Sequence, residues 1–208
     1  EYASSQDGFL CNSFSTLQGL KKLGYLKENT PAEVLPYLIP PGYSSICDEE
    51  LMGVQRENTV ILNAPFDKRK GLNFLPEILN KSGIKKVNII GNIRCELELV
   101  EEFFNGLEIN DVVWYANASF VTKKRLHLEA KVLVFPSYNE GLGIPLIEAY
   151  ACGCRCLAFD HLSSDVLLAK DQMSSVNQFK EELSTNSLSS HDPLYYRRYI
   201  EKLGNINA

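Results

Sequence analysis

Short apolar runs alternate with amphipathic stretches along most of this chain. Val60–Asn63, Lys86–Ile90, Asp111–Tyr115, Lys131–Phe135 and Cys156–Phe159 are dense in branched or aromatic residues. Between them, Leu72–Asn80, Glu96–Phe104, Lys123–Leu128 and Pro145–Ala151 repeat their apolar positions at helical spacing, the last with proline in its first turn and Gly153 past its end. Strand followed by helix, many times over, is the pattern of a parallel sheet with helices on both faces, so the fold class expected is α/β and Rossmann-like. Upstream, Phe9–Asn12 reads as a short strand, Thr16–Leu23 as a helix ended by Gly24, and Val34–Ile39 as a second short strand running into the turn Pro40-Pro41-Gly42. Beyond Asp160 the pattern weakens into a Ser- and Asn-rich mix from Ser163 to His191, before a final helix over Leu194–Leu203. The organisation expected is one domain over residues 1–208, with its core between about 9 and 160.

Length and composition narrow the function classes. With 208 residues and 45% hydrophobic content, the chain buries one full core but not two of ordinary size. Lys and Arg number 21 against 26 Asp and Glu, a net charge of −5 with no basic stripe, which argues against a nucleic-acid partner. The longest apolar stretches, such as Val132–Pro136 and Pro145–Ala151, fall far below the ~20 residues that cross a bilayer. A cytoplasmic protein is expected, with peripheral membrane association left open. Among six cysteines, Cys152-Gly-Cys154-Arg-Cys156 lacks the paired spacing of structural zinc sites, and free thiols in a reducing compartment are the expectation.

The stretch Phe135-Pro-Ser-Tyr-Asn-Glu-Gly-Leu-Gly-Ile-Pro-Leu-Ile-Glu148 carries the chemistry. It reads as strand, loop and helix start, and in an open parallel sheet the ligand lies beyond the carboxyl ends of the strands. Gly141 and Gly143, with Leu142 between them, let backbone approach a ligand, and the amides at the helix start offer partial positive charge to an anion. Glu140 in the loop and Glu148 about one turn into the helix are placed to face one pocket, two acceptors for two hydroxyl-bearing groups. Standing alone, such carboxylates are more often an exposed loop residue and a helix-dipole partner; the surrounding motif reverses that preference.

These residues resemble the Glu-x₇-Glu signature of retaining glycosyltransferases of family four, in which Pro-Ser-x-x-Glu-Gly-x-Gly leads into Glu-Ala-x-Ala-x-Gly. The resemblance implies the C-terminal, donor-binding half of a GT-B fold. It places the nucleotide ribose on Glu148, donor-sugar hydroxyls on Glu140, and sugar and diphosphate on the Gly141–Gly143 amides. Upstream, Lys70-Gly71 is similar to the family's Lys-Gly helix start, which puts Lys70 on the donor diphosphate and, with Glu140, in the catalytic set. Ile39-Pro-Pro-Gly42 is similar to the linker that opens the family's C-terminal domain, so an acceptor-binding N-terminal domain is expected from a preceding segment or a separate chain. The function implied is retaining transfer of a sugar from a nucleoside-diphosphate sugar to an acceptor the sequence does not identify. No cofactor is implied, and the absence of any Asp-x-Asp fits a donor site that needs no metal.

The chain departs from that pattern at Asn63-Ala64-Pro65, where the family commonly has Gly-Arg; Lys68 or Arg69 is left to reach the phosphates. The Gly-Gly-x-x-Glu loop expected after Asp160 is also missing. Two rival readings remain. Gly141-Leu-Gly143, with Asp160 at the next strand end, has the spacing of an NAD(P)-dependent oxidoreductase domain, although Leu146 fills the third glycine position. A non-catalytic nucleotide-sugar-binding module is the other. His127 reads as an ordinary surface or core histidine, Tyr195, Tyr196 and Tyr199 as packing residues, and Trp114 as core.

Overall fold

The structure, a computed structural model, describes residues 8–35, 39–160, 166–184 and 192–206. Six parallel strands form the main sheet: β3 (Glu57–Asn63), β4 (Lys86–Ile90), β5 (Asp111–Tyr115), β6 (Ala130–Phe135), β7 (Arg155–Phe159) and β8 (Gln172–Met173). Their spatial order is β5-β4-β3-β6-β7-β8, so the winding direction reverses between β3 and β6 and opens a crevice at the carboxyl ends of those two strands. Two further strands, β1 (Phe9–Cys11) and β2 (Ala32–Val34), flank helix α1 (Phe14–Lys22) and pair with each other, separate from the main sheet.

Strict alternation along the strands divides the core into two layers. Ile61, Leu133, Phe135, Cys156 and Ala158 face one side, against α2 (Asp48–Gly53), α5 (Phe120–Glu129), α6 (Ile144–Ala151) and α8 (Pro193–Ile206). Val60, Leu62, Val132, Val134, Leu157 and Phe159 face the other, against α3 (Leu75–Leu79), α4 (Leu97–Gly106) and α7 (Val176–Ser184). Burial on both faces explains why these strands are continuous apolar runs. The fold is therefore the expected Rossmann-like α/β class, helices on both faces.

Arginines secure the amino-terminal end of this sheet. Arg56, just before β3, donates from Nη1 to the carbonyls of His127 (3.3 Å) and Ala130 (2.9 Å) and from Nη2 to that of Cys152 (2.5 Å), tying the ends of α5 and α6 together. Arg155, the first residue of β7, is buried against Asp171 at 2.8 Å and reaches Glu182 at 3.0 Å. Arg197 on α8 donates to the carbonyls of Tyr43 (2.8 Å), Ala151 (3.1 Å) and Ser44 (3.2 Å). Tyr196 stacks on Tyr150 at 5.6 Å between centroids and Tyr199 meets the same ring edge-on, which is packing as expected. Tyr195 is half exposed, with the Lys170 ammonium 4.0 Å from its ring centroid.

Several expectations need correction. The helix expected over Leu72–Asn80 is two 3₁₀ turns, Lys68–Lys70 and Leu72–Phe74, followed by α3. Gly71 between them is left-handed (φ 67°), and a Cβ there would lie 1.9 Å from the Pro136 carbonyl oxygen, so the Lys70-Gly71 step presses directly against the loop after β6. The second short strand is Ala32–Val34 rather than Val34–Ile39, of which Pro36, Tyr37 and Leu38 lie outside the described residues. Trp114 is not core: its edge strand leaves it 38% exposed, with Nε1 donating to the Gly91 carbonyl. Within the weakly patterned Ser163–His191 stretch, β8 and α7 form, while residues 161–165 and 185–191 lie outside the described set. The final helix runs Pro193–Ile206, longer than expected at its carboxyl end.

Candidate functional site

At the β3/β6 reversal lies a cleft of about 430 Å³, lined by Asn63, Pro65, Arg69, Lys70, Arg94 and Lys123 among others. Its cations arrive from three places. Arg69 and Lys70 ride the 3₁₀ turn after β3, Arg94 follows β4, and Lys123 lies in the first turn of α5. That helix begins earlier than its apolar pattern suggests because Ser119 caps it, its hydroxyl accepting from the Thr122 amide at 3.1 Å. A larger apolar cavity of about 500 Å³ lies on the other side of the Asp67–Gly71 turn, between Phe66, Leu72, Leu99, Phe103 and Tyr138.

The two motif carboxylates lie behind this cleft rather than open to it. Glu148, buried on α6, receives Lys123 Nζ on Oε1 at 2.6 Å and the Asn63 amide on Oε2 at 3.0 Å. Glu140 is ion-paired with Lys70 and accepts from the buried Ser137 hydroxyl at 2.9 Å. Lys70 also lies 5.9 Å from the centroid of the Phe135 ring. Each carboxylate thus has a lysine between it and the cleft, with side-chain exposures of only 16% for Lys70 and 26% for Lys123.

Beneath Glu148 is a neutral polar layer. His127 is fully buried and its Nε2 lies 3.3 Å from Asn63 Nδ2, the same amide that donates to Glu148. An amide donor facing Nε2 assigns the ring proton to Nδ1. Burial first, and then the Lys123 charge, depress the imidazole pKa to about 3. Tyr43, 6.3 Å from that ring by centroids, is also fully buried, and burial followed by the Glu148 charge pushes its phenol above the ordinary range. His127 is therefore a core histidine, but one wired to the site through Asn63.

Around the glycine loop, Gly143 caps α6 in the left-handed region (φ 71°). Pro145 has no amide hydrogen, and the Leu146 amide is already bonded to the Gly143 carbonyl at 2.8 Å, so of the amides at this helix start those of Gly143 and Ile144 are left for an anion. A Cβ on Gly141 would meet the Asn12 side chain at 3.2 Å, which brings the β1–α1 turn against the loop. The Leu142 side chain packs on the core, so only its backbone is placed for a ligand.

The remaining cations differ in availability. Asp67 holds Arg69 through Nε (3.3 Å) and Nη2 (3.1 Å) and caps its amide at 2.9 Å; these bonds depress the Asp67 pKa. Lys68, expected as a candidate phosphate contact, points away from the cleft to Glu96 at 3.3 Å. Asn63, Arg94, Lys123 and Ser137 are not among the candidate site residues read from the sequence, where Asn63 appears only in the departure from the Gly-Arg pattern and Ser137 only within the quoted motif. Ser137 and Lys123 had local signals, the Pro-Ser motif and the Ser119 cap; Asn63 and Arg94 had none beyond position at strand ends.

The family model described as glycosyl transferases group 1 matches residues 53–179. No curated protein sequence matches the chain. Among solved structures, the pneumococcal O-GlcNAc transferase GtfA in complex with UDP and GlcNAc superposes with a TM-score of 0.72 at 15% identity, covering 97% of this chain and 43% of that one. A glycosyltransferase from Rickettsia africae ESF-5 gives 0.71 at 15% identity, covering 96% and 60%. WaaG, a glycosyltransferase involved in lipopolysaccharide biosynthesis, gives 0.67 at 19% identity, covering 95% and 57%. At these identities the likeness is one of fold, and the chain spans about 43–60% of the length of these structures. Neither the family match nor these structures supports the oxidoreductase alternative.

Proposed function

The chain belongs to the glycosyl transferases group 1 family, and from that premise we propose that the cleft at the β3/β6 reversal holds a nucleoside-diphosphate sugar for retaining transfer. The observation that carries this reading is the paired arrangement of Glu140 with Lys70 and Glu148 with Lys123 at one cleft. Each pair joins an acceptor suited to hydroxyls and a cation suited to phosphate. When donor enters, the lysines turn to the diphosphate and the carboxylates take its hydroxyls, Glu148 those of the ribose and Glu140 those of the sugar. Lys70, with the Gly143 and Ile144 amides, then offsets the charge that develops on the leaving diphosphate as the sugar C1–O bond breaks. The acceptor oxygen bonds to C1 on the face that the nucleotide leaves, and its hydroxyl proton passes to the departing phosphate oxygen. Nothing in this scheme requires a metal or an organic cofactor. UDP, present in the GtfA complex, is the first nucleotide to test.

Acceptor binding falls to an N-terminal α/β unit that packs on the β1–α1–β2 segment. That segment leaves Leu10 and Leu23 each 71% exposed, with Tyr25 and Leu35 half exposed beside them, and a two-stranded pair has little independent stability.

Calorimetry with UDP, GDP, ADP and NAD, followed by UDP-sugars, tests the donor reading. Glu148→Ala should weaken the nucleoside diphosphate itself, and Glu140→Ala only the sugar-bearing donor. The anomeric proton of the product, read by NMR, tests retention. Donor binding with no turnover in the presence of an N-terminal domain would favour the non-catalytic module, and donor affinity untouched by both substitutions would remove the site assignment.

A further inference from the structure

We propose that Arg94 is a diphosphate-binding residue of the donor cleft, an inference that rests on the donor reading above. A diphosphate brings at least two negative charges, and four side-chain cations line this cleft: Arg69, Lys70, Arg94 and Lys123. Three are already matched by carboxylates, Arg69 by Asp67, Lys70 by Glu140 and Lys123 by Glu148. Arg94 has no carboxylate partner among the described residues. It is exposed, and it lines the cleft.

Its backbone is nonetheless fixed. The Arg94 amide donates to the Phe66 carbonyl at 2.8 Å, and the Phe66 amide to the Asn92 carbonyl at 2.8 Å. These bonds form a parallel bridge, Phe66↔Ile93, that continues the β3–β4 pairing beyond both strands. Arg94 is thereby tethered to the same backbone that leads, four residues on, to Lys70. From a backbone so anchored, the guanidinium offers a planar pair of donors to phosphate oxygens without first surrendering an ion pair. Arg69 must leave a two-pronged contact with Asp67 to do the same. Arg94 therefore meets the diphosphate first, and the two lysines follow as their carboxylates turn to the donor's hydroxyls.

The test is a titration of the chain with the best-bound nucleoside diphosphate, its parent nucleoside, and inorganic pyrophosphate. Arg94→Ala should weaken diphosphate and pyrophosphate about tenfold, as expected for loss of one charge-assisted contact, and leave the nucleoside unchanged. Arg94→Lys should recover part of the loss, and Arg69→Ala should lose less than Arg94→Ala. Equal weakening of nucleoside and diphosphate would make Arg94 a base contact and overturn the inference, as would Arg94→Ala binding diphosphate like the parent chain. Pyrophosphate bound in an Arg94-dependent way with no nucleotide bound would sustain the inference and sink the donor reading.

Discussion

The two ends of the main sheet hold their charges in opposite ways. At the amino-terminal end the cations are Arg56, Arg155 and Arg197, donating to backbone carbonyls or to the buried Asp171. At the carboxyl end two of the four cleft cations are lysines on carboxylates, Lys70 with Glu140 and Lys123 with Glu148, at the wall of an open cleft. A guanidinium gripping several carbonyls has no other partner of equal quality and stays put. A lysine on a carboxylate at a cleft wall can exchange that partner for a phosphate when one arrives. One end is built to be permanent and the other to be rearranged, within a single rigid sheet.

The largest expected effect breaks the permanent end. Arg155→Ala leaves Asp171, already pushed up by burial, without its guanidinium, and should cost about 3–5 kcal/mol in urea unfolding. Nucleoside-diphosphate affinity of the folded fraction should hold. A loss of affinity with no loss of stability would erase the contrast between the ends.

Lys70→Ala should do the reverse. We expect about thirtyfold weaker diphosphate binding by calorimetry, roughly 2 kcal/mol, against less than about 1.5 kcal/mol in stability.

His127 sharpens the comparison because its carbonyl is held by Arg56 at the permanent end while its buried ring reaches Asn63 at the exchangeable one. Its folded pKa of about 3 lies below the unfolded value of about 6.5, so as pH falls below 6.5 the unfolded chain takes up the proton first. Stability contributed by the neutral ring is complete above pH 6.5 and declines towards pH 3, by at most about 1.4 kcal/mol per pH unit. His127→Gln, compared with the parent by urea unfolding at pH 7, 6 and 5, should lower the slope; identical slopes would mean that the ring takes up its proton in the fold as readily as in the unfolded chain.

The smallest effect is expected at Lys68, whose exposed contact with Glu96 lies outside the donor cleft. Lys68→Ala should leave both the unfolding midpoint and diphosphate affinity within error of the parent. A clear loss of affinity would return Lys68 to the phosphate set.

Much of the fold was legible because β3, β6 and β7 are buried on both faces and each carries an unbroken apolar run, while β4 is interrupted at the buried Asn88. What escaped was short or made by pairing. β8 is two residues long and exists through its register with Ala158 and Phe159. α2 had a local signal in Asp48, Glu49 and Glu50 at its first turn, which complement a helix dipole, but too few residues to show a period. The Glu140, Glu148 and Lys70 set stood out through its motif. Asn63, Arg94 and Lys123 did not, since each is an unremarkable polar residue in its own segment.

By itself the sequence determined the class of sheet and the positions of its principal strands, through local alternation, and the glycine loop with its flanking carboxylates, through the resemblance of that stretch to a family motif. Only the tertiary structure decided which cation stands before which carboxylate, that Asn63 joins His127 to Glu148, and that Arg94 shares the cleft without a carboxylate of its own. Those relations are set where the ends of β3, β4 and β6 and the start of α5 converge, across separations of 25 to 85 residues. Hydrogen bonds and ion pairs act over a few ångströms, so they depend on that convergence and leave no periodic trace along the chain.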